Sequence, residues 1–225
     1  MVYSVGMKSV YETDPVNEVM GGAAAWERLA FENPDEVDVV AKGGAGGQIS
    51  RTMGMGYRVV EGSAPKKLLW KSKTKLPPDY AFGNNEVMLV SSRFRDLVEQ
   101  FEPGVHQFLP VSVYNAKDAT EPFDTFYWFV CCTLIDSLDP EHTTLDWKGF
   151  YDDFTDCGLR RGLWSIDLSV KPPQKAVFSL KAIGDRHLWR DPYRGRDYVH
   201  CSDAFGEALI AAELTGFGLR QYEQM

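Results

Sequence analysis

Val199-His200-Cys201-Ser202-Asp203-Ala204-Phe205, continuing through Ala208, Leu209 and Ala212 to Gly216 and Phe217, is the stretch from which the fold is read. Val199 to Cys201 suits a short strand. Ser202 is placed to cap a helix, because its hydroxyl can accept one of the N–H groups that a first helical turn leaves without an intrahelical partner. Phe205, Ala208, Leu209 and Ala212 then recur at the spacing of one helix face. Gly216 stands where a helix exit wants a left-handed residue. A second stretch reads the same way. Val90-Ser91-Ser92-Arg93-Phe94 is followed by Leu97, Val98, Phe101 and Gly104, and the third residue after the capping serine is again Phe. Two explanations of this likeness stay open: a true repeat, or the common grammar of strand, capped helix and glycine. Either one predicts helices laid on a sheet.

Outward from these units the chain is rich in strands. Glu86–Val90, Gln107–Tyr114 and Thr125–Leu134 carry the β-branched and aromatic residues that strands favour. Trp164, Ile166, Leu168 and Val170 alternate with Ser165, Asp167 and Ser169, which predicts a half-buried strand. A turn at Pro172-Pro173-Gln174 would fold it as a hairpin onto Ala176–Ile183. Nearer the N-terminus, Gly21–Phe31 suits a short helix, Val37–Val40 a strand and Gly43–Gly56 a glycine-rich loop. Strand runs outnumber helical ones and do not alternate with them regularly. The expected class is therefore α+β, a mostly antiparallel sheet with a few short helices.

A chain of 225 residues with 44% hydrophobic content can bury a real core, and its six Trp, thirteen Phe and ten Tyr argue against disorder. The formal net charge of −8 disfavours general binding to phosphate backbones and suits solubility or a basic protein partner. No basic segment followed by an apolar run opens the chain, and the longest apolar stretch, near Phe126–Leu134, is too short to span a bilayer. A cytoplasmic location is the expectation. Cys131, Cys132, Cys157 and Cys201 form no CxxC pair, and adjacent cysteines in a strand face opposite ways. They read as small buried groups in a reducing compartment rather than as zinc ligands.

The chemistry-bearing motifs mostly fail their tests. Gly43-Gly44-Ala45-Gly46-Gly47 has Ile49 where a dinucleotide fingerprint needs glycine, and no Gly-Lys-Ser/Thr follows as a phosphate-binding loop requires. His106, His142, His187 and His200 form no short ligand pair. Ser202 lacks the Gly-x-Ser-x-Gly context of a nucleophile elbow. Asp152, Asp153 and Asp156, beside Tyr151, read as an exposed acidic and aromatic patch facing solvent or a basic partner. Two further readings are carried: a small-molecule enzyme using His187 or His200 with Asp185 or Asp203, and a zinc-supported adaptor using the cysteines.

The C-terminal residues also carry a resemblance. His187-Leu188-Trp189-Arg190, then Tyr198 to Asp203, Ala208-Leu209 and Leu214-Thr215-Gly216-Phe217 resemble the end of a bacterial polymorphic-toxin immunity family, the eleventh in its numbered series and formerly a domain of unknown function. Val90 to Phe94 and Phe108-Leu109-Pro110-Val111 are similar to that family's middle. The resemblance covers residues 86–225 of a single immunity-type domain spanning 1–225, and residues 1–85 match it poorly. It implies a cytoplasmic protein that binds and neutralises a cognate toxin encoded by an adjacent gene. It implies no cofactor and leaves a homo-oligomer open, while the expectations of no catalysis, no metal, no nucleic acid and no membrane rest on the failed motifs, the cysteine spacing, the charge and the short apolar runs. It carries over no contact residue, so Tyr151, Asp152, Asp153 and Asp156 stand as the partner-binding candidates on their chemistry alone.

Overall fold

The computed structural model describes residues 1–7, 18–19, 30, 32, 56–70, 76–82, 88–123, 125–154, 160–167, 169–194 and 199–225, with backbone alone at 6–7, 18–19, 82, 150–154 and 160–161. The segments expected over Gly21–Phe31 and Val37–Val40 and the Gly43–Gly47 run lie outside these residues, save Ala30, as do Cys157 and Asp156.

The strands are β1 (Val2–Met7), β2 (Glu18–Val19), β3 (Lys67–Trp70), β4 (Tyr80–Phe82), β5 (Met88–Ser91), β6 (Gln107–Asn115), β7 (Asp118–Pro122), β8 (Phe126–Val130), β9 (Asp146–Phe154), β10 (Arg160–Ser165), β11 (Val177–Phe178), β12 (Leu188–Trp189), β13 (Val199–Ser202) and β14 (Phe217–Gln224). The helices are α1 (Ser92–Phe101), α2 (Leu180–Ile183) and α3 (Asp203–Ala211). One sheet runs β2-β3-β6-β8-β5-β4, with β7 also on β6. A second runs β11-β14-β1-β13-β12, and β9 and β10 form a separate two-stranded ribbon. Among these strands only β3 with β6 and β11 with β14 pair in parallel. The fold is α+β with mostly antiparallel sheet, as the residue pattern predicts.

The likeness between the two serine-capped segments extends to the topology. β5 and β6 are each antiparallel to β8, so they run parallel to one another, joined by α1 and split by β8. β13 and β14 are each antiparallel to β1, joined by α3 and split by β1. The outer neighbours agree too: β4 lies antiparallel on β5 as β12 does on β13, and β3 lies parallel on β6 as β11 does on β14. The units differ in connectivity. The splitting strand follows its unit in the first case and comes from the N-terminal residues in the second.

Both serines cap as expected. Ser91 Oγ accepts from the Phe94 N–H at 3.3 Å and Ser202 Oγ from the Phe205 N–H at 3.2 Å. The glycines do not close the helices. The helices end at Phe101 and Ala211, and the left-handed residue just beyond the second cap is Glu213, with φ 50°. Gly216 is required instead for close approach: a Cβ there would lie 2.1 Å from the Tyr80 carbonyl oxygen, at φ 94°.

Alternation along each strand sorts residues into layers. Met88, Val90 and Phe129 from the first sheet, and Val5, Val199 and Cys201 from the second, meet Phe94, Val98, Phe205 and Leu209 of the two helices in one central core. The rings of Phe94 and Phe205 pack edge to face at 6.4 Å, and Phe101 meets Phe205 at 5.2 Å. Full burial of each such side chain contributes roughly 1.5–3 kcal/mol. The opposite faces pack separately, Leu89, Leu109 and Trp128 in one cluster and Val2, Phe178 and Trp189 in another.

Two buried carboxylates of the first unit fasten it to the second. Asp79 accepts from the Ser91 hydroxyl at 2.7 Å, and from the Thr215 N–H and hydroxyl at 2.9 Å each. Glu102, just past α1, accepts from the His187 N–H at 2.9 Å and the Leu188 N–H at 3.3 Å, and meets His106 Nε2 at 2.6 Å. Burial raises the Glu102 pKa, but His106 and the backbone donors outweigh it and hold the carboxyl below its ordinary range. Burial likewise opposes charge on His106, while the neighbouring Cys131 and Glu102 favour it. The Cys132 N–H points at Nδ1 at 3.2 Å, however, and an imidazolium has no lone pair there to receive it. That hydrogen bond assigns the neutral ring, with the proton on Nε2 given to Glu102, because two facing N–H groups would leave a buried donor unsatisfied.

The hairpin expected between Leu163–Val170 and Ala176–Ile183 does not form. β10 ends at Ser165 and pairs back with β9. Beyond it, the Asp167 carboxylate accepts from the Ser169 N–H and hydroxyl, and Gln174 accepts from the Asp167 N–H, so local polar groups close a turn excursion. Ile166 and Val170 consequently stand exposed. Val177-Phe178 is recruited by β14 and Ser179 caps α2.

Candidate partner-binding surface

The candidate histidines are accounted for by structural contacts. His187 Nδ1 lies 2.8 Å from Ser202 Oγ, and its ring packs on Phe101 at 4.9 Å. A serine with a histidine at the start of a helix resembles a nucleophile and its base. The first unit argues for a different role: its capping serine, Ser91, meets Asp79 in the corresponding place. Both Ser91 and Ser202 also donate their backbone N–H, to the Asp79 and His187 carbonyls respectively, at 3.0 Å each. The pair is thus a helix-cap latch built twice with different partners. His200 is fully buried among Phe178 at 4.9 Å, Trp189 at 5.9 Å and Tyr222 at 6.3 Å. Burial, then the Arg194 and Arg190 charges, push its pKa well below the ordinary histidine value, so it is neutral. Asp203 faces the N-terminal ammonium at 3.3 Å and Asp185 is exposed. Neither is paired with a candidate histidine.

The cysteines are similarly placed. Cys131 and Cys201 are buried in the central core, whereas Cys132 is half-buried against the opposite cluster. Burial pushes the thiols of Cys132 and Cys201 up to about 12, which suppresses thiolate chemistry. Among the described residues no cluster of His, Cys, Asp and Glu is arranged to hold a metal.

Of the partner-binding candidates, Tyr151, Asp152 and Asp153 fall on β9, in the ribbon, where the backbone alone is described. Asp156 lies outside the described residues. Arg160 of β10 pairs with Phe154, and Trp164 with Trp147. Gly162, at φ 159°, lets the Trp147 ring cross β10 closely, since a Cβ there would lie 2.6 Å from that ring. Trp147 then packs edge to face on Trp164 at 5.3 Å.

Trp164 also forms one wall of an open cleft of about 310 Å³ on the outer face of the second sheet. Lys175, Arg194, Arg220, Tyr222 and Glu223 line it with Trp164. The Arg194 guanidinium lies 4.4 Å from the Tyr222 ring centroid and 5.6 Å from that of Phe178. Arg220 lies 5.4 Å from the same Tyr222 ring. Lys175 and Glu223 neutralise each other at 2.7 Å. The cleft therefore presents two guanidinium groups over one tyrosine, in a protein that is acidic overall. None of these lining residues except Trp164, as part of an expected strand, was singled out in the sequence. The available signal was Arg220 and Tyr222 two residues apart on the last strand, where the period of two puts both on one face.

These features define a class: an α+β scaffold of two similarly arranged units in which His187, His200, Ser91, Ser202, Cys131 and Cys201 serve packing and capping, with open chemistry on an outer sheet face. The family model of the immunity protein family (Imm11) matches residues 31–224, and the chain belongs to that family. A search of curated proteins finds none that matches it. No helix among the described residues is long and apolar enough to cross a membrane.

Proposed function

We propose that this protein protects its cell by binding a cognate toxin, encoded by an adjacent gene, and blocking it through protein–protein contact in the cytoplasm. Membership of the immunity protein family carries the reading. The way the polar chemistry is spent supports it: Ser202, His187, Glu102 and Asp79 are engaged in capping and in fastening the two units. The contact surface on this reading includes the acidic ribbon of Tyr151, Asp152 and Asp153, with Asp156 beyond it, facing a basic region of the toxin.

The experiment is co-expression with the neighbouring gene. The expected result is growth rescue together with co-purification of a stoichiometric complex. A neighbour that is harmless alone, or that never associates with this protein, overturns the proposal.

A further inference from the structure

We infer that the cleft of Arg194, Arg220, Tyr222 and Trp164 is an anchoring pocket for an acidic side chain of a protein partner. The inference rests on the proposed function for the identity of that partner and adds the chemistry of one contact.

Composition is the first argument. Interface residues whose truncation costs most are enriched in Trp, Tyr and Arg, and they cluster in pockets. Here one cleft unites two arginines, a tyrosine and a tryptophan. Preorganisation is the second. Arg194 is half-buried with its guanidinium against the Tyr222 and Phe178 rings, so the positive wall of the cleft beside Arg220 is held in place. The neutral state of His200 beneath this stack keeps a third positive charge out of the floor.

Charge balance supplies the third argument. Glu223 is the carboxylate lining the cleft, and it is taken by Lys175. Arg220 is exposed and meets the Tyr222 ring, with no carboxylate on it among the described residues. A planar carboxylate matches a guanidinium with two parallel hydrogen bonds. The −8 net charge separates the candidate ligands. Free anions are repelled at long range by such a protein. A carboxylate carried on a peptide or protein brings neighbouring groups that can also contact the Trp164 and Tyr222 rings lining the cleft, which offsets that repulsion as a small inorganic anion cannot. The occupant is accordingly an Asp or Glu side chain on a protein surface.

The test has two arms. In the first, hexaglutamate, hexaglutamine and inorganic phosphate are titrated into the full-length protein while the Trp164 indole ¹⁵N–H resonance is followed. Expected is a shift with hexaglutamate alone, abolished in Arg220→Glu and reduced in Arg220→Gln, with both variants melting as the parent does. An equal response to phosphate overturns the inference in favour of a small-anion pocket, and no response to hexaglutamate overturns it outright. In the second arm, Arg220→Glu is expected to weaken binding of the adjacent-gene toxin by about 30-fold or more. An unchanged affinity there refutes the anchor. If the parent protein does not bind that toxin at all, the proposed function fails, and the peptide arm still decides the cleft.

Discussion

Replacing Glu102 by alanine tests whether the two units are fastened as described. The carboxylate serves the His106 ring at 2.6 Å and the backbone N–H groups of His187 and Leu188 at 2.9 and 3.3 Å. Glu102 and His106 are both buried, so water cannot replace the lost acceptor. Each orphaned buried donor costs about 1–3 kcal/mol. Two short bonds and one long one thus predict a loss of about 3–5 kcal/mol. Glu102→Gln keeps one acceptor oxygen but turns an NH₂ toward the donors, and should lose about half as much. The assay is urea unfolding at neutral pH. With a slope of about 2–3 kcal/mol per molar, the midpoint for the alanine variant should fall by about 1–2 M. A fall of less than about 0.3 M would refute the reasoning. The pH dependence checks the sign. The folded-state pKa of Glu102 lies below its ordinary value of 4.5, so its stabilisation is present above that value and is lost as pH falls through the folded-state pKa. The gap between parent and Glu102→Gln should therefore close on acidification below the ordinary glutamate range.

Three further outcomes are expected. Gly216→Ala should cost about 3 kcal/mol or more, since the new Cβ meets the Tyr80 carbonyl in a backbone conformation that disfavours side chains; a melting temperature within a degree or two of the parent contradicts this. Ser91→Ala should destabilise more than Ser202→Ala: each loses a cap worth about 1 kcal/mol and a second hydrogen bond, but the second bond of Ser91 is to the Asp79 carboxylate and that of Ser202 to the His187 ring, and a bond to a charged group is worth more; unfolding curves showing the reverse order sink the comparison. Cys132 and Cys201, with thiols pushed up to about 12, should react with a disulfide-exchange reagent far more slowly in the native protein than in urea, and equal rates in both would show the thiols to be accessible.

The serine caps, the helix faces and most strands were legible because they rest on local chemistry. A capping hydroxyl needs only the N–H three residues on, and the Phe94 and Phe205 spacings needed only the helical period. Register and pairing choice were not legible, since they depend on residues distant in sequence. Nothing around Val177-Phe178 announces that it will pair with β14 rather than with Leu163–Val170. Nor does Val2–Met7 announce itself as the strand that splits the second unit. The same gap explains the site. Trp164, Lys175, Arg194 and Arg220 are brought to one cleft only after β14, β10 and the segment following β12 have been placed. His200 looked like a candidate base because its sequence neighbours do not reveal the three rings that enclose it.

The duplicated topology narrows where binding function should be sought. Two units built alike and packed through their helices share the residues that make the fold: capping serines, the Phe94 and Phe205 pair, and alternating apolar strands. Recognition needs residues that the units do not share. On the outer face of the first sheet, Leu89, Leu109 and Trp128 are buried under Tyr57, Val59 and Ala64. The corresponding face of the second sheet carries His200, Arg220 and Tyr222, and opens into the cleft beside the β9–β10 ribbon. The first face is mostly apolar, its own cleft lying over Leu109 and Val111 with Glu61 and Lys66 at its edge, whereas the second brings two guanidinium groups and aromatic rings together within reach of solvent. Recognition is therefore to be sought first on that second face, where Trp164 of the ribbon meets Arg220 and Tyr222 of the sheet.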